Sequence, residues 1–389
     1  MDIYERSLKR HGETKGKVEI RSRMPLNSRE DLSLAYTPGV ARPCEVIAGD
    51  VSRAWDLTWR GRTVAVVSDG SAVLGLGDIG PEAALPVMEG KAVLFREFGG
   101  IDAIPLVINA REVDHVVAVV KAIAPTFGGI NLEDFSAPRC FEIESRLQDI
   151  GIPVLHDDQH GTAVVTLAAI KNSLRLLGKE FQDLKVVING AGAAGRAIAR
   201  LLSSPAAEDA DLRAGSVLVC DSKGILWPGR PGNTTFKEKL ARRTNAKGRQ
   251  GDLRDALHGA NIFIGVSKGN LLTADDIKRM GEDAIVLAMA NPIPEIDPDE
   301  ARLGGAAIVG TGRSDYDNQV NNVLAFPGLF RGALLARAPR FTHAMLLAAA
   351  DAIADCVSDL RPEFILPAAL DRSVAPRVAK QVAEAARSA

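Results

Sequence analysis

The stretch LKVVING at 184–190, running into AGAAGRAIARLL at 191–202, decides the fold. LKVVI is a short, β-branched apolar run closed by Asn-Gly, the pattern of a buried parallel strand. AGAAGRAIARLL has the spacing of a helix. Gly190, Gly192 and Gly195 fall at the junction as G-x-G-x-x-G. The first glycine permits a tight turn, the second lets backbone approach a pyrophosphate, and the third lets helix and strand pack closely. Ala193 and Ala194 lie between them, where the N–H groups of a helix start face the phosphates. The next apolar run, SVLVCD at 216–221, ends in Asp221, placed to bind a ribose. The plainer alternative is a glycine-rich turn with no ligand. Strand, helix and acid together are the context that dinucleotide binding demands. Asp221 favours NAD. Lys223, Lys237, Lys239, Arg242 and Arg243 follow it, and any of them could accommodate the 2′-phosphate of NADP, so that choice stays open.

Working outward, the same alternation recurs on both sides. TVAVVSDG (63–70), IDAIPLVIN (101–109), INLEDF (130–135) and IPVLHDD (152–158) read as strands. GKAVLFREFGG (90–100), REVDHVVAVVKAIAPTFGG (111–129) and CFEIESRLQDIG (140–151) read as the helices between them. A helix holding Thr162 to Leu177 leads into the glycine loop. NIFIGVS (261–267), AIVLAMANP (284–292) and AAIVGTG (306–312) are the later strands. This predicts an α/β fold: an N-terminal α/β substrate and metal domain over 1–160, a Rossmann-type domain over 161–327, and a helical tail over 328–389. Residues 223–250 read as an exposed loop and a basic helix. In the tail, Asp351, Asp355 and Asp359 recur every four residues within 341–360, the wet face of an amphipathic helix. A second G-x-G-x-x-G, at Gly75, Gly77 and Gly80, reads as a structural turn. Asp78 would place a carboxylate where a pyrophosphate must sit, and the strand after it ends in Asn109 rather than an acid.

The 389 residues carry 47 basic and 49 acidic side chains, a net charge of −2, which excludes nucleic-acid binding by blanket phosphate neutralisation. The hydrophobic fraction of 46% is enough for a large core and excludes dominant disorder. Cys44, Cys140, Cys220 and Cys356 form no CxxC pair or zinc spacing and suit a reducing compartment. Neither a signal peptide nor a charge-free span is legible, so the cytoplasm is the expected location, with no membrane partner.

Two acidic pairs carry the chemistry. Glu133-Asp134 and Asp157-Asp158 each follow a strand, and open α/β sheets place ligands beyond the carboxyl ends of their strands. If the pairs converge, their repulsion requires a cation, and oxygen-only ligation points to Mg²⁺ or Mn²⁺. His156 and His160 would instead support a softer metal. Equally, each pair could merely cap the next helix. Beside such an ion, oxidation of a 2-hydroxy acid needs a base. Lys91, in the apolar setting of MEGKAV, fills that role if its pKa is lowered. A surface helix lysine is the simpler reading of that position.

At this point the residues resemble a family, the malic enzymes of short bacterial type. The resemblance rests on LAYTPGVA (34–41), SDGSAVLGLGDIGPEAALPVMEGKAVLF (68–95), NLEDFSAPRCFEIE (131–144), HDDQHGTA (156–163), NGAGAAG (189–195), ANPIPEI (290–296) and NNVLAFPG (321–328). It implies oxidative decarboxylation of malate to pyruvate and CO₂ with reduction of NAD or NADP. By motif it makes Tyr36 the acid that protonates C3, Lys91 the general base, and Asp157 its neighbour. It makes Glu133, Asp134 and Asp158 the ligands of Mg²⁺ or Mn²⁺. Asn291 and Asn322 would bind the malate carboxylates, with Asn291 also at the cofactor, and Gly190, Gly192, Gly195 and Asp221 would hold the dinucleotide. A homodimer or larger homo-oligomer is implied as well. One departure stands out: Ala72 occupies the position where the long enzymes carry an arginine, so carboxylate recognition must come from elsewhere. The competing readings are a malolactic or oxaloacetate-decarboxylating variant of this scaffold, and a metal-independent amino-acid dehydrogenase.

Overall fold

The computed structural model describes residues 2–73, 75–203 and 214–388. Two sheets organise them. The first takes β1 (Thr63–Ser68), β2 (Asp102–Val107), β3 (Gly129–Leu132) and β4 (Val154–His156) in the order β2-β1-β3-β4, all parallel. The second takes β5 (Lys185–Asn189), β6 (Ser216–Asp221), β7 (Gly224–Ile225), β8 (Ile262–Gly265), β9 (Ala284–Ala288) and β10 (Ala306–Thr311) in the order β10-β9-β8-β5-β6-β7. Only β7 runs antiparallel. β1, β3, β8 and β9 are buried along their whole length, as strands covered on both faces must be.

Strand order reverses between β1 and β3 in one sheet and between β5 and β8 in the other. At such a switch point the flanking connections diverge to opposite faces and leave a crevice beyond the carboxyl ends. Glu133-Asp134 opens from the first and Gly190 from the second. The chain therefore carries two such crevices, and the Asp157–Leu177 helix joins them. Its first turn follows β4 directly, while its middle is buried from Ala163 to Ile170 against the core shared with the second sheet.

The tail folds back over this junction. Helix Phe326–Ala336 sets Phe326 and Phe330 edge-on to Phe95, with ring centroids 4.7 Å and 5.3 Å apart. The expected amphipathic helix is present as His343–Ala354, and Asp359 lies beyond its end. Its aspartates form the expected solvent-facing side, where Asp351 pairs with Lys171, and Asp355 with Arg175 at 2.8 Å, both partners on the Asp157–Leu177 helix. The 223–250 segment holds the expected basic helix as Thr235–Thr244, preceded by the small β7 hairpin that the sequence did not announce.

Candidate active site

β3 and β4 pair with Leu132 opposite His156, so the next residues, Glu133 and Asp157, emerge side by side. Asp134 then turns into the left-handed region at φ 55°, tolerable for aspartate, and its N–H donates to Asp158 Oδ2 at 2.9 Å. One carboxylate oxygen from each of Glu133, Asp134 and Asp158 lies within 4.8 Å of the others. The two acidic pairs converge. They are more than helix caps.

Lys91 is only 7% exposed, so the surface-lysine reading is overturned. Its Nζ lies 2.7 Å from Asp157 Oδ2 and 2.8 Å from Glu133 Oε1, with the Phe326 ring centroid at 4.3 Å. Asn322 donates to the same Asp157 oxygen, and Asn131 donates to Glu133 Oε2 at 2.7 Å. Burial by itself would lower the Lys91 pKa, but Asp157 and Glu133 outweigh it and raise it. With these two carboxylates as its charged neighbours, Lys91 favours its ammonium form, and the neutral form expected for a base would need further positive charge beside it. Gly161 is required here, since a Cβ would collide with Asp157.

The carboxylates are short of positive charge. Burial and Asp158 push the Asp134 carboxyl up to about 8, and burial together with its acidic neighbours raises Glu133 despite Lys91. Asp134 Oδ2 is buried without a hydrogen-bond partner. Three converging oxygens, one of them orphaned, fit a hard divalent cation. The histidines do not join them. His160 turns away to Glu144 at 2.9 Å, and His156 Nε2 stands 3.5 Å from Asp158.

In the second crevice, Gly190 at φ 128° packs on Val266, where a Cβ would sit 2.5 Å from the carbonyl oxygen. A Cβ at Gly195 would collide with the Gly190 carbonyl, while one at Gly192 would meet nothing within 4 Å. The turn is tight and its outer edge open, with helix Ala193–Leu202 starting beside it, so the residues fit a dinucleotide pyrophosphate. Asp221 ends β6 as expected, but it is not free. Arg230 grips it at 2.5 Å and Lys237 at 2.6 Å, and these cations hold its carboxyl below the usual range against the opposing effect of burial. Lys237 was among the cations anticipated; Arg230 was missed.

Not every expected residue joins a crevice. Asn291 is exposed on the loop after β9, its carbonyl near Gly75 and its amide near Gly312. Tyr36 is 68% exposed at the end of helix Arg29–Ala35, with no side-chain hydrogen bond to the carboxylates or Lys91. The Gly75–Gly80 segment is a turn leading into helix Pro81–Leu94, as expected, with Asp78 paired to Arg111 at 2.8 Å. One network escaped the sequence reading entirely. Arg139 bonds Asp69 at 2.7 Å and Ser71 at 2.9 Å, and Ser71 accepts from the Ser136 N–H, tying the segment after β1 to the segment carrying Glu133. Its members lie about seventy positions apart, beyond the reach of any local pattern.

The sequence model of the malic enzyme N-terminal domain matches residues 15–148, and that of the malic enzyme NAD-binding domain matches residues 159–387. The chain belongs to the malic enzyme family. It is 52% identical to the bifunctional malic/malolactic enzyme of Bacillus subtilis, over 99% of this chain and 93% of that protein. It is 50% identical to the NAD-dependent malic enzyme of Geobacillus stearothermophilus, over 95% of this chain and 77% of that one. Among solved structures it is similar to the NAD-dependent malic enzyme of Thermotoga maritima, with a TM-score of 0.92, 48% identity, and coverage of 98% and 99% of the two chains.

Proposed function

We propose that this malic enzyme chain converts malate to pyruvate and CO₂ while reducing NAD or NADP, using the crevice beyond β1 and β3 as its reaction chamber. The observation that carries this is Lys91, buried between Asp157 and Glu133, with Glu133 converging on Asp134 and Asp158 in a carboxylate cluster that needs a cation. A metal-independent amino-acid dehydrogenase has no use for that arrangement.

Glu133, Asp134 and Asp158 would hold Mg²⁺ or Mn²⁺, which supplies the positive charge that polarises the 2-hydroxy oxygen. Lys91 and Asp157 take the hydroxyl proton as a unit. The ammonium passes its proton across 2.7 Å to the carboxylate and becomes the acceptor. Asn322 fixes the rotamer of Asp157 and offers an amide donor for a malate carboxylate. Phe326 closes the apolar side of the chamber, where excluded water strengthens each of these contacts. Gly190 to Gly195 cradle the dinucleotide, which takes the hydride when bound. Tyr36 returns a proton to C3. The ribose end carries both signs, Asp221 for a 2′-hydroxyl and Arg230 with Lys237 for a 2′-phosphate. The same reading has domain boundaries at residues 160 and 327, a cytoplasmic location, and a homodimer or larger homo-oligomer. No helix among the described residues is long and apolar enough to cross a membrane.

The test is a spectrophotometric assay with malate, Mn²⁺ and each dinucleotide, with product identification. Malate-dependent NADH or NADPH with stoichiometric pyruvate supports the proposal. Lactate without net reduced cofactor would establish the malolactic reaction, the reading that the Bacillus subtilis relative keeps in view. Metal-independent turnover of an amino acid would overturn both.

A further inference from the structure

We infer that the chain holds a second ligand site, for a phosphorylated organic anion with a ring or hydrocarbon body, in a cavity between helices of the two sheets that shares no residue with either crevice. The cavity measures about 580 Å³, within the size range of small-molecule sites. One wall comes from helix Arg139–Arg146, β4 and the first turns of the Asp157–Leu177 helix. The other comes from helices Ala193–Leu202 and Thr235–Thr244, and the start of helix His343–Ala354 completes the lining. Much of that lining is apolar, with Phe141, Val154, Leu201 and Leu346 among its members.

Its charge is one-sided. Arg196, Arg200 and Arg243 line the cavity, and none of them pairs with a carboxylate among the described residues. The one acid in the lining, Glu144, is already engaged. It meets His160 at 2.9 Å and accepts from the His156 N–H at 3.0 Å and the Gln159 amide at 3.1 Å. The arginines crowd one another: burial and Arg200 hold Arg196 and Arg243 below the ordinary arginine range. Burial, Arg200 and Arg243 do the same to His343, whose Nε2 has no hydrogen-bond partner. Like charges gathered this way without a counter-charge attract an anion.

Two of the three are also held in place. The Arg196 guanidinium lies over the Phe141 and Phe236 rings, 4.3 Å and 5.0 Å from their centroids. Arg243 donates from Nε to Ser203 Oγ at 2.9 Å, and from Nη2 to the Ser203 and Arg200 carbonyls at 3.2 Å and 3.3 Å. A solvated surface cation has no need of such anchors, and the remaining guanidinium N–H groups match phosphate oxygens. Inorganic phosphate would leave the apolar lining unused, and a neutral ring would leave the arginines uncompensated. An organic phosphate uses both.

The site bears on both crevices. Arg196 lies on the helix that starts at the glycine turn and donates to Gln159 Oε1 at 3.4 Å, the residue after Asp158. An anion on the arginines cancels positive potential near Glu133, Asp134 and Asp158. It therefore tightens the hold of that cluster on a divalent cation, and by linkage the cation tightens the anion. This regulatory half rests on the reading of the cluster as the metal site; the binding half does not.

The test is calorimetric and needs no turnover. 1-Naphthyl phosphate is titrated into the full chain with Mn²⁺, NAD and oxalate present to fill both crevices. Saturable binding that falls at least about tenfold in Arg200→Glu and in Arg243→Gln supports the site, as do inorganic phosphate and 1-naphthol binding at least about tenfold more weakly. Both positions are exposed, and thermal melts check that each variant folds. Absence of binding up to about 5 mM, where a ligand gains only about 3 kcal/mol, overturns the site. So does binding that both variants leave unchanged, or binding seen only when NAD is omitted, which would place the probe in the dinucleotide crevice. Mn²⁺ is then titrated with and without the probe. Affinity about fivefold higher with it in wild type, and unchanged in Arg200→Glu, supports the coupling. Equal affinity in wild type overturns the coupling alone, and a chain that binds no Mn²⁺ in either condition overturns the metal reading rather than the anion site.

Discussion

Lys91 shows how far one residue's meaning depends on what surrounds it. In the sequence it is a cation on a helix. In the fold it is the only lysine or arginine among the described residues in contact with the cluster of Glu133, Asp134, Asp157 and Asp158. Lys91→Ala should therefore lower malate turnover by at least ~10³-fold, in the upper part of the ~10²–10⁴-fold range of a single proton-transfer group because two carboxylates are left facing each other. NADH binding, followed by fluorescence, should stay within about twofold, since the glycine turn lies in the other crevice. Asp221 gives a second residue-scale prediction. Its folded pKa is depressed, so its ion pairs contribute stability above the unfolded aspartate range near ~3.9 and lose it as pH falls through that range toward the folded value. The unfolding free energy of wild type should exceed that of Asp221→Asn by about 1–3 kcal/mol from pH 8 to 5. Urea titrations should show that gap shrinking below about pH 4. The same variant removes the acceptor for a 2′-hydroxyl and frees Arg230 and Lys237. Its ratio of kcat/KM for NADP over NAD should rise roughly tenfold.

At the scale of elements, the long strands of both sheets and most of the helices between them were legible because each is a strong local pattern, while the two-residue β7 and the start of helix Pro81–Leu94 were not. TVAVVS and IFIG are continuous apolar runs, and VDHVVAVV repeats at helical spacing. The glycine turn was legible for the same reason: its three roles fall within six residues. Contacts that join distant elements were not. The spacing of Asp351 and Asp355 announces their wet face, but nothing in it names Lys171 and Arg175 of another helix as their partners. Lys91 and Tyr36 exchanged their expected settings for a similar reason, one going inside and the other outside, because burial is decided by packing that a single segment does not contain. The Phe326–Ala336 helix illustrates the cost of such packing. Phe330 is fully buried against Phe95 and Phe341, at ring distances of 5.3 Å and 5.1 Å. Phe330→Ala should destabilise the protein by about 3–5 kcal/mol, read from chemical denaturation. Because Phe326 on the same helix stands over Lys91, turnover should fall as well, even at temperatures where the variant remains folded.

For the whole molecule, charge is arranged by compartment while the total stays near neutral. The acid gathers at the first crevice, and base lines the ribose end of the second. Chelation with EDTA should abolish malate turnover and Mn²⁺ should restore it. Mn²⁺ should also raise the melting temperature of the wild type by mass action, and should do so far less for Asp158→Asn. Thermal-shift measurements without substrate check this independently of activity. The Asp157–Leu177 helix sets a further condition. Two sequence models divide the chain between 148 and 159, yet this helix begins at the first crevice and is embedded in the core of the second sheet. A cut at that point would part Val64, Met88 and Phe95 from Phe326 and Phe330 within one continuous core, exposing on each half an apolar face that the intact chain hides. The two modules are therefore one cooperative folding unit: calorimetry should record a single unfolding transition, and neither half should be recovered soluble when expressed alone.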